Sequence, residues 1–227
     1  MNLNNNLEIL DNHGLFDNSS FWNNWKLHEF IKYQNDECHI HATNIDFKKL
    51  QIGIKKLTLG ATFDGKLEYL PNNLKTLILR YSRFNKEIKN LPDSLRNLIM
   101  DCSFNKEIKL WSSAQSGPRL HVLGFGILFN QKLTHLPSSL RVLSLGYSFK
   151  QDLNCCVALP YLQKLFIYDE YHEYRRYKLP LLFNTTIIIM KGSPPFENQV
   201  IVEVINENYK NYNIDKWKDS FYKYIRN

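Results

Sequence analysis

The chain has 227 residues, of which 44% are hydrophobic, 14% aromatic and 22% charged, and its formal net charge is +7. This composition excludes a wholly disordered chain and a collagen-like one, and no stretch approaches the roughly 20 apolar residues that span a bilayer. The first residues lack the basic and apolar regions of a signal peptide, so we expect a cytoplasmic protein that does not contact a membrane.

Residues 1–53 are predicted to be an N-terminal cap. They supply many aromatic side chains, and the segment from Ser20 to Tyr33 is interpreted as a helix with a serine N-cap. A degenerate first repeat fits residues 38–52. The cap is needed because the end repeats of a stacked array otherwise expose their apolar faces.

An internal repeat organises residues 54–190. The frame L-x-x-L-x-L starts at positions 54, 74, 95, 120, 140 and 162, a nearly constant interval within the range of leucine-rich repeats. A phenylalanine follows each of the first five frames, an asparagine follows three of these phenylalanines, and Leu-Pro closes most units. The repeated residues are Phe63, Phe84, Phe104, Phe129 and Phe149, with Asn85, Asn105 and Asn130.

Each unit predicts one short strand and a return loop. The alternating leucines give the strand one buried face, the phenylalanine turns inward behind it, and Leu-Pro suits the bend into the next strand. Stacked units bury what a single unit cannot. We therefore predict a leucine-rich-repeat solenoid with a parallel sheet of about 6–8 short strands on one face and irregular loops behind.

The repeat unit, written here as LPDSLRNLIMDCSFNKEIK and LPSSLRVLSLGYSFKQDL, closely resembles the FNIP repeat, a leucine-rich-repeat variant common in amoebae and giant DNA viruses. The resemblance covers about residues 54–190. It implies a curved solenoid that binds proteins and has no catalytic residues, located in the host-cell cytoplasm if the source is viral. Members of this family often carry an F-box that couples them to a ubiquitin ligase, and residues 1–53 show no convincing F-box.

Asparagine is unusually abundant in the chain. We attribute most of these asparagines to compositional bias. Those that follow the inward phenylalanines recur at one station, so we assign them to turn formation. Their amides either bond backbone groups of their own and the adjacent turn, or only tolerate a left-handed turn position.

The third unit and the C-terminus depart from the pattern. An insertion at residues 111–118 predicts a bulging loop on the side away from the strands. Residues 191–227 are predicted to be a C-terminal cap. Strands are expected at Thr186–Met190 and Val200–Ile205, and a final helix is expected to begin near Asn213, with Ile214, Trp217, Phe221 and Ile225 on one face.

Alternation also predicts which side chains lie on the sheet face away from the leucines. Apolar residues recur there, and such a stripe marks an interaction site unless a terminal segment or a second copy covers it. A tyrosine- and arginine-rich segment follows the sixth frame and suits a protein partner or single-stranded nucleic acid, although a repeat loop with some tyrosines inward and the arginines solvated is the simpler explanation. The candidate protein-binding residues are Ile78, Ile99, Val122, Val142, Phe166, Tyr168, Arg175 and Arg176.

We expect no metal, no cofactor and no catalysis. The segment Cys38-His39-x-His41 and the pair Cys155-Cys156 do not supply the four ligands of a typical zinc site, and no catalytic sequence motif is present. The four cysteines are expected to be free thiols. We therefore predict a non-enzymatic protein-interaction scaffold that uses the solenoid sheet face. The alternatives are nucleic-acid binding through the basic and aromatic surface, or a ubiquitin-ligase adaptor by family analogy. Self-association is also compatible with these features.

Overall fold

A computed structural model describes residues 8–10, 30–50, 53–100, 103–109, 117–168, 185–191 and 200–205. In these ranges the chain forms one sheet of 11 strands whose spatial order is their order along the chain. Two 3-10 helices, Phe47–Lys49 and Asn154–Ala158, are the helical elements of the described part. The strands are β1 Glu8–Leu10, β2 Phe30–Gln34, β3 Glu37–His41, β4 Lys56–Leu59, β5 Thr76–Leu79, β6 Asn97–Met100, β7 Val122–Phe125, β8 Val142–Leu145, β9 Lys164–Tyr168, β10 Thr186–Lys191 and β11 Val200–Ile205.

Strands β3 to β10 run parallel to one another, each paired with the next. The pairing is in register with the repeat: Leu57 lies beside Leu77, and Leu77 lies beside Leu98. The predicted fold is confirmed, since the chain is a parallel-strand solenoid of about six turns. At the two ends the direction reverses, because β2 pairs antiparallel with β3 and β11 pairs antiparallel with β10.

The inward-facing leucines of the frames form the core behind the sheet, and those of β4 to β9 are almost fully buried. The Leu-Pro bends precede the strands, as expected. The Pro71, Pro92 and Pro137 carbonyls accept hydrogen bonds from the backbone N–H three residues later, at 2.9–3.0 Å. These bends aim each turn of the chain at the same edge of the sheet.

The phenylalanines of the repeat stack in a column behind the leucines. Neighbouring ring centroids from Phe63 to Phe149 are 5.9–6.1 Å apart, and from Phe84 onward the ring planes lie within 6° of parallel. Phe47 continues the column at 6.1 Å from Phe63. Parallel strands are about 4.8 Å apart, and nearly parallel rings at these centroid distances form a continuous stack from turn to turn.

The asparagines after these phenylalanines hydrogen-bond from one turn to the next. The Asn105 backbone N–H donates to Asn85 Oδ1 at 2.9 Å, and the Asn130 backbone N–H donates to Asn105 Oδ1 at the same distance. The Lys150 backbone N–H donates to Asn130 Oδ1 at 2.8 Å. None of the three asparagines has a positive φ, so inter-turn bonding is their role, and tolerance of a left-handed turn is not.

Asn105 offers a test of this asparagine ladder, meaning the inter-turn hydrogen bonds accepted by Asn85, Asn105 and Asn130. Its Oδ1 accepts from both the Asn130 N–H and Gln131 Nε2. We expect Asn105→Ala to lower the free energy of unfolding by about 1–3 kcal/mol, since two donors lose their acceptor. Asn105→Asp keeps an oxygen acceptor and should retain most of the stability. Urea denaturation of the two variants measures the difference, and equal losses would contradict the ladder.

A second set of inter-turn bonds, at the residue before the first leucine of a frame, was not anticipated from the sequence. Ser94 Oγ donates to the Leu74 carbonyl at 2.6 Å, and Ser139 Oγ donates to the Leu120 carbonyl at 2.7 Å. Each bond joins a bend to the preceding turn. The signal in the sequence was the recurrence of serine at this station.

Adjacent serines in one bend provide a matched pair for these serine bonds. Ser139→Ala is expected to cost about 1 kcal/mol of unfolding free energy, because the Leu120 carbonyl loses its donor. Ser138 is exposed, and Ser138→Ala should stay within about 0.5 kcal/mol of the parent chain. Thermal and urea unfolding of both variants check this, and a Ser138 effect as large as that of Ser139 would refute it.

One glycine is required by close packing of neighbouring loops. A Cβ atom built on Gly146 would overlap the Gly126 carbonyl group. Two successive turns therefore touch backbone to backbone just after β7 and β8. Any larger residue at Gly146 would push these turns apart.

Of the predictions made for the two ends of the chain, one is wrong and several concern residues outside the described ranges. Residues 30–33 belong to strand β2, so the helix predicted for Ser20 to Tyr33 is wrong there. Pairing with β3 explains the difference, because tertiary hydrogen bonding overrides a weak local preference. The strands predicted at Thr186–Met190 and Val200–Ile205 are present as β10 and β11. The C-terminal helix and most of the insertion at 111–118 lie outside the described residues.

Candidate interaction surfaces

The outer sheet face, meaning the face away from the leucine core, carries two rows of side chains. The rows come from the first and third residues of each strand, and neighbours within a row are paired in register. The first row consists of Lys56, Thr76, Asn97, Val122, Val142 and Lys164, and the second of Thr58, Ile78, Ile99, Gly124, Ser144 and Phe166.

The apolar part of this face is not open to solvent. Ile99, Val122, Val142 and Phe166 are each between 1% and 4% exposed, and Ile78 is half-buried. Of the two alternatives, an exposed stripe and a covered one, this burial within a single chain favours the covered one for these four residues.

Packing along the rows accounts for part of this burial. The Ile99 side chain leans over Gly124, so closely that a Cβ at Gly124 would lie 2.9 Å from Ile99 Cδ1. Next in the row, Ser144 Oγ is buried without a hydrogen-bond partner. A buried unpaired hydroxyl is uncommon, and in the described part of the chain this one lies in the apolar half of the face.

The other half of the outer sheet face is polar. Lys56 Nζ contacts Glu37 Oε1 at 3.1 Å, and His39 Nε2 lies 3.6 Å from Glu37 Oε2. Hydrogen bonds from His39 and Lys56 hold the pKa of Glu37 below its ordinary value, although burial opposes them. Further along, Asn97 Nδ2 donates to Thr76 Oγ1 at 3.0 Å. These polar groups thus bond to one another within the face.

The other predicted contact residues are not found beside the outer sheet face in the described ranges. Tyr168 ends β9 and pairs with Met190 through its backbone, and its side chain is outside the description. Arg175 and Arg176 lie outside the described residues.

A basic rim lies along the edge where the chain enters the strands. It consists of Lys75, Arg96, His121 and Arg141, which hold the same position, one residue before the strand, in four consecutive turns. Lys75 and Arg141 are exposed, and Arg96 and His121 are half-buried. The rim was missed in the sequence because its members lie a whole repeat unit apart and form no run; aligning the repeats would have shown it.

Backbone hydrogen bonds fix the rim in place. The Lys75 carbonyl accepts from the backbone N–H groups of both Arg96, at 2.8 Å, and Asn97, at 3.0 Å. The carbonyls of Arg96 and His121 accept two N–H groups of the following turn in the same way. Arg96 Nη1 also donates to the Asp93 and Leu95 carbonyls at 2.7 and 2.8 Å, so its guanidinium is held at the edge.

The charges of the rim act on one another. Burial, and next the positive charges of Arg141 and Arg96, lower the pKa of His121 below its ordinary value. Among the described residues no carboxylate forms an ion pair with Lys75, Arg96 or Arg141, whereas lysines on the loops behind the sheet pair with Glu68, Glu87 or Glu107. Within the described ranges the rim is thus a row of uncompensated positive charge.

The two cysteine-containing segments considered as metal sites lie apart from one another, in strand β3 and in the 3-10 helix Asn154–Ala158. Cys38 and His39 are neighbours on one strand and so point to opposite faces, and burial raises the pKa of the Cys38 thiol to about 12. Cys155 and Cys156 are free thiols with their sulfurs 3.9 Å apart. In the described part of the chain no three His, Cys, Asp or Glu side chains are grouped to hold a metal.

Comparison with protein families identifies the repeat. The FNIP Repeat family model matches residues 129–167, which contain Phe129, Asn130, strand β8, Phe149 and most of β9. Residues 129–167 therefore carry the FNIP repeat that the sequence motif indicated. Comparison with curated proteins and with solved structures finds no match. No helix in the described ranges is long and apolar enough to cross a membrane.

The charges of the basic rim lead to a prediction for the titration of His121. Arg141→Gln is expected to raise the pKa of His121 toward its ordinary value, because it removes a neighbouring positive charge. NMR titration of the imidazole signal measures this pKa. Lys109→Gln, which removes a charge paired with Glu107, should leave it unchanged. The same shift in both variants would show that the rim charges do not act locally.

Proposed function

We propose that this FNIP-repeat protein is a non-enzymatic scaffold that binds another protein through the strand-bearing side of its solenoid. The observation that carries the proposal is the in-register stacking of β3 to β10, which presents side chains of successive turns in rigid rows. Side chains that are already ordered lose little entropy on binding. Such rows suit an extended partner that crosses several turns.

The accessible part of this side differs from the surface first expected. The residues Ile99, Val122, Val142 and Phe166 are buried, so they stabilise the fold in this arrangement. The basic rim and the half-buried Ile78 remain accessible beside them. Replacing the buried residues by aspartate would therefore test stability and would not isolate binding.

Position-specific photo-crosslinking tests the proposal. A photoreactive amino acid is placed at Lys75 on the rim, at Ile78 on the outer sheet face, or at Lys109 on the back of the solenoid, and each full-length chain is incubated with extract of its natural cells. We expect a discrete crosslinked protein from Lys75 or Ile78 and none from Lys109. That protein, once purified, should bind the unmodified chain with a defined stoichiometry and a Kd in the micromolar range or tighter.

Two outcomes would contradict the scaffold proposal. The first is crosslinking from Lys109 alone, which would place binding on the opposite side. The second is failure of every purified candidate to bind in solution.

Nucleic-acid binding is the second candidate, and the net charge of +7 together with the basic rim favours it. It predicts an affinity for single-stranded oligonucleotides that falls steeply with salt, because phosphate contacts release counterions. Absence of binding at low salt would dispose of it.

A further inference from the structure

We propose that the basic rim is a binding site for an extended acidic segment of a protein partner. The inference rests on the proposed function and specifies the surface and the chemistry of the partner. Its basis is the row of Lys75, Arg96, His121 and Arg141 in four in-register turns, without carboxylate partners among the described residues.

The geometry of the rim suits a short linear ligand. Adjacent parallel strands are about 4.8 Å apart, so four turns span roughly 15 Å, the length of about five extended residues. An acidic segment along the solenoid axis can place carboxylates beside the rim without a pocket. The bidentate geometry of arginine suits carboxylates, and Arg96 and Arg141 lie on either side of His121 in the row.

The local charge balance points the same way. The bends leading into the strands of this row contain one carboxylic acid, Asp93, whose backbone carbonyl is bonded to Arg96. In the turn before the rim, Lys55 occupies the same station and is neutralised by Asp36 at 3.0 Å. In the turn after the rim, the station is Gln163. Both neighbours therefore confine the row to the four turns from Lys75 to Arg141, three of which carry a positive side chain.

The side chains around the rim favour a peptide over single-stranded nucleic acid. Nucleic-acid grooves of this kind combine positive charge with aromatic side chains on which the bases stack. The station three residues before each strand is occupied along the rim by Asn73, Ser94, Arg119 and Ser139, none of them aromatic. Tyr161, which is 65% exposed, lies at this station one turn beyond the rim.

Fluorescence anisotropy with labelled octaglutamate tests the inference on the full chain. We expect binding at low salt that weakens as salt rises, and no binding of a Glu-Lys alternating peptide of the same length. The triple variant Lys75→Gln, Arg96→Gln, Arg141→Gln should lose at least about tenfold in affinity, since three charge contacts are removed.

Two controls keep this result interpretable. The charge-matched triple variant Lys66→Gln, Lys89→Gln, Lys109→Gln removes exposed lysines behind the sheet and should bind nearly as the parent chain does. Arg96 donates hydrogen bonds to two backbone carbonyls. The double variant Lys75→Gln, Arg141→Gln therefore repeats the test with these bonds left in place. Circular dichroism verifies that each variant is folded.

Three outcomes would overturn the inference: no binding of octaglutamate by the parent chain, equal losses in the two triple variants, or tighter rim-dependent binding of a labelled oligo(dT). A purified partner from the crosslinking experiment supplies an independent readout. If it binds the parent and the rim variant equally, the rim assignment fails while the scaffold function stands. If it loses affinity with the rim variant and competes with octaglutamate, both stand.

Discussion

Parallel strand stacking at one fixed interval is the constraint on which this molecule depends. Each turn of the chain must return to the same edge of the sheet, so every station of the repeat meets its equivalent in the next turn. Leucines then meet leucines, and the rings from Phe63 to Phe149 form a column with neighbouring centroids 5.9–6.1 Å apart. A single unit has no core of its own, and the stack supplies one.

The same constraint converts polar residues into repeated inter-turn bonds. The bond from an asparagine side chain to a backbone N–H of the next turn recurs along the stack because successive turns have the same conformation. The hydroxyls of Ser94 and Ser139 reach the preceding turn for the same reason. These bonds satisfy loop backbone groups that have no strand partner. The loops behind the sheet are therefore ordered with little helix in the described part.

Repetition also shapes the surface. Four positive or titratable side chains, each a whole repeat unit from the next along the chain, lie side by side because their backbones are in register. Charge that looks dispersed in the sequence becomes a local row, in which the charges of Arg141 and Arg96 add to burial in lowering the pKa of His121. Behind the sheet, Glu residues placed two positions from lysines neutralise the equivalent loops.

The sequence by itself determined the repeat, its strands, the inward leucines and phenylalanines, and which residues share a sheet face, because these follow from alternation and period. Tertiary structure alone decided that Ile99 and Phe166 are buried on the outer sheet face, since alternation assigns a side chain to a face and not to solvent. It also decided that residues 30–33 form a strand, because hydrogen bonds to β3 come from another part of the chain. The basic rim depended on both: the repeat carries its residues, and only strand register brings them together.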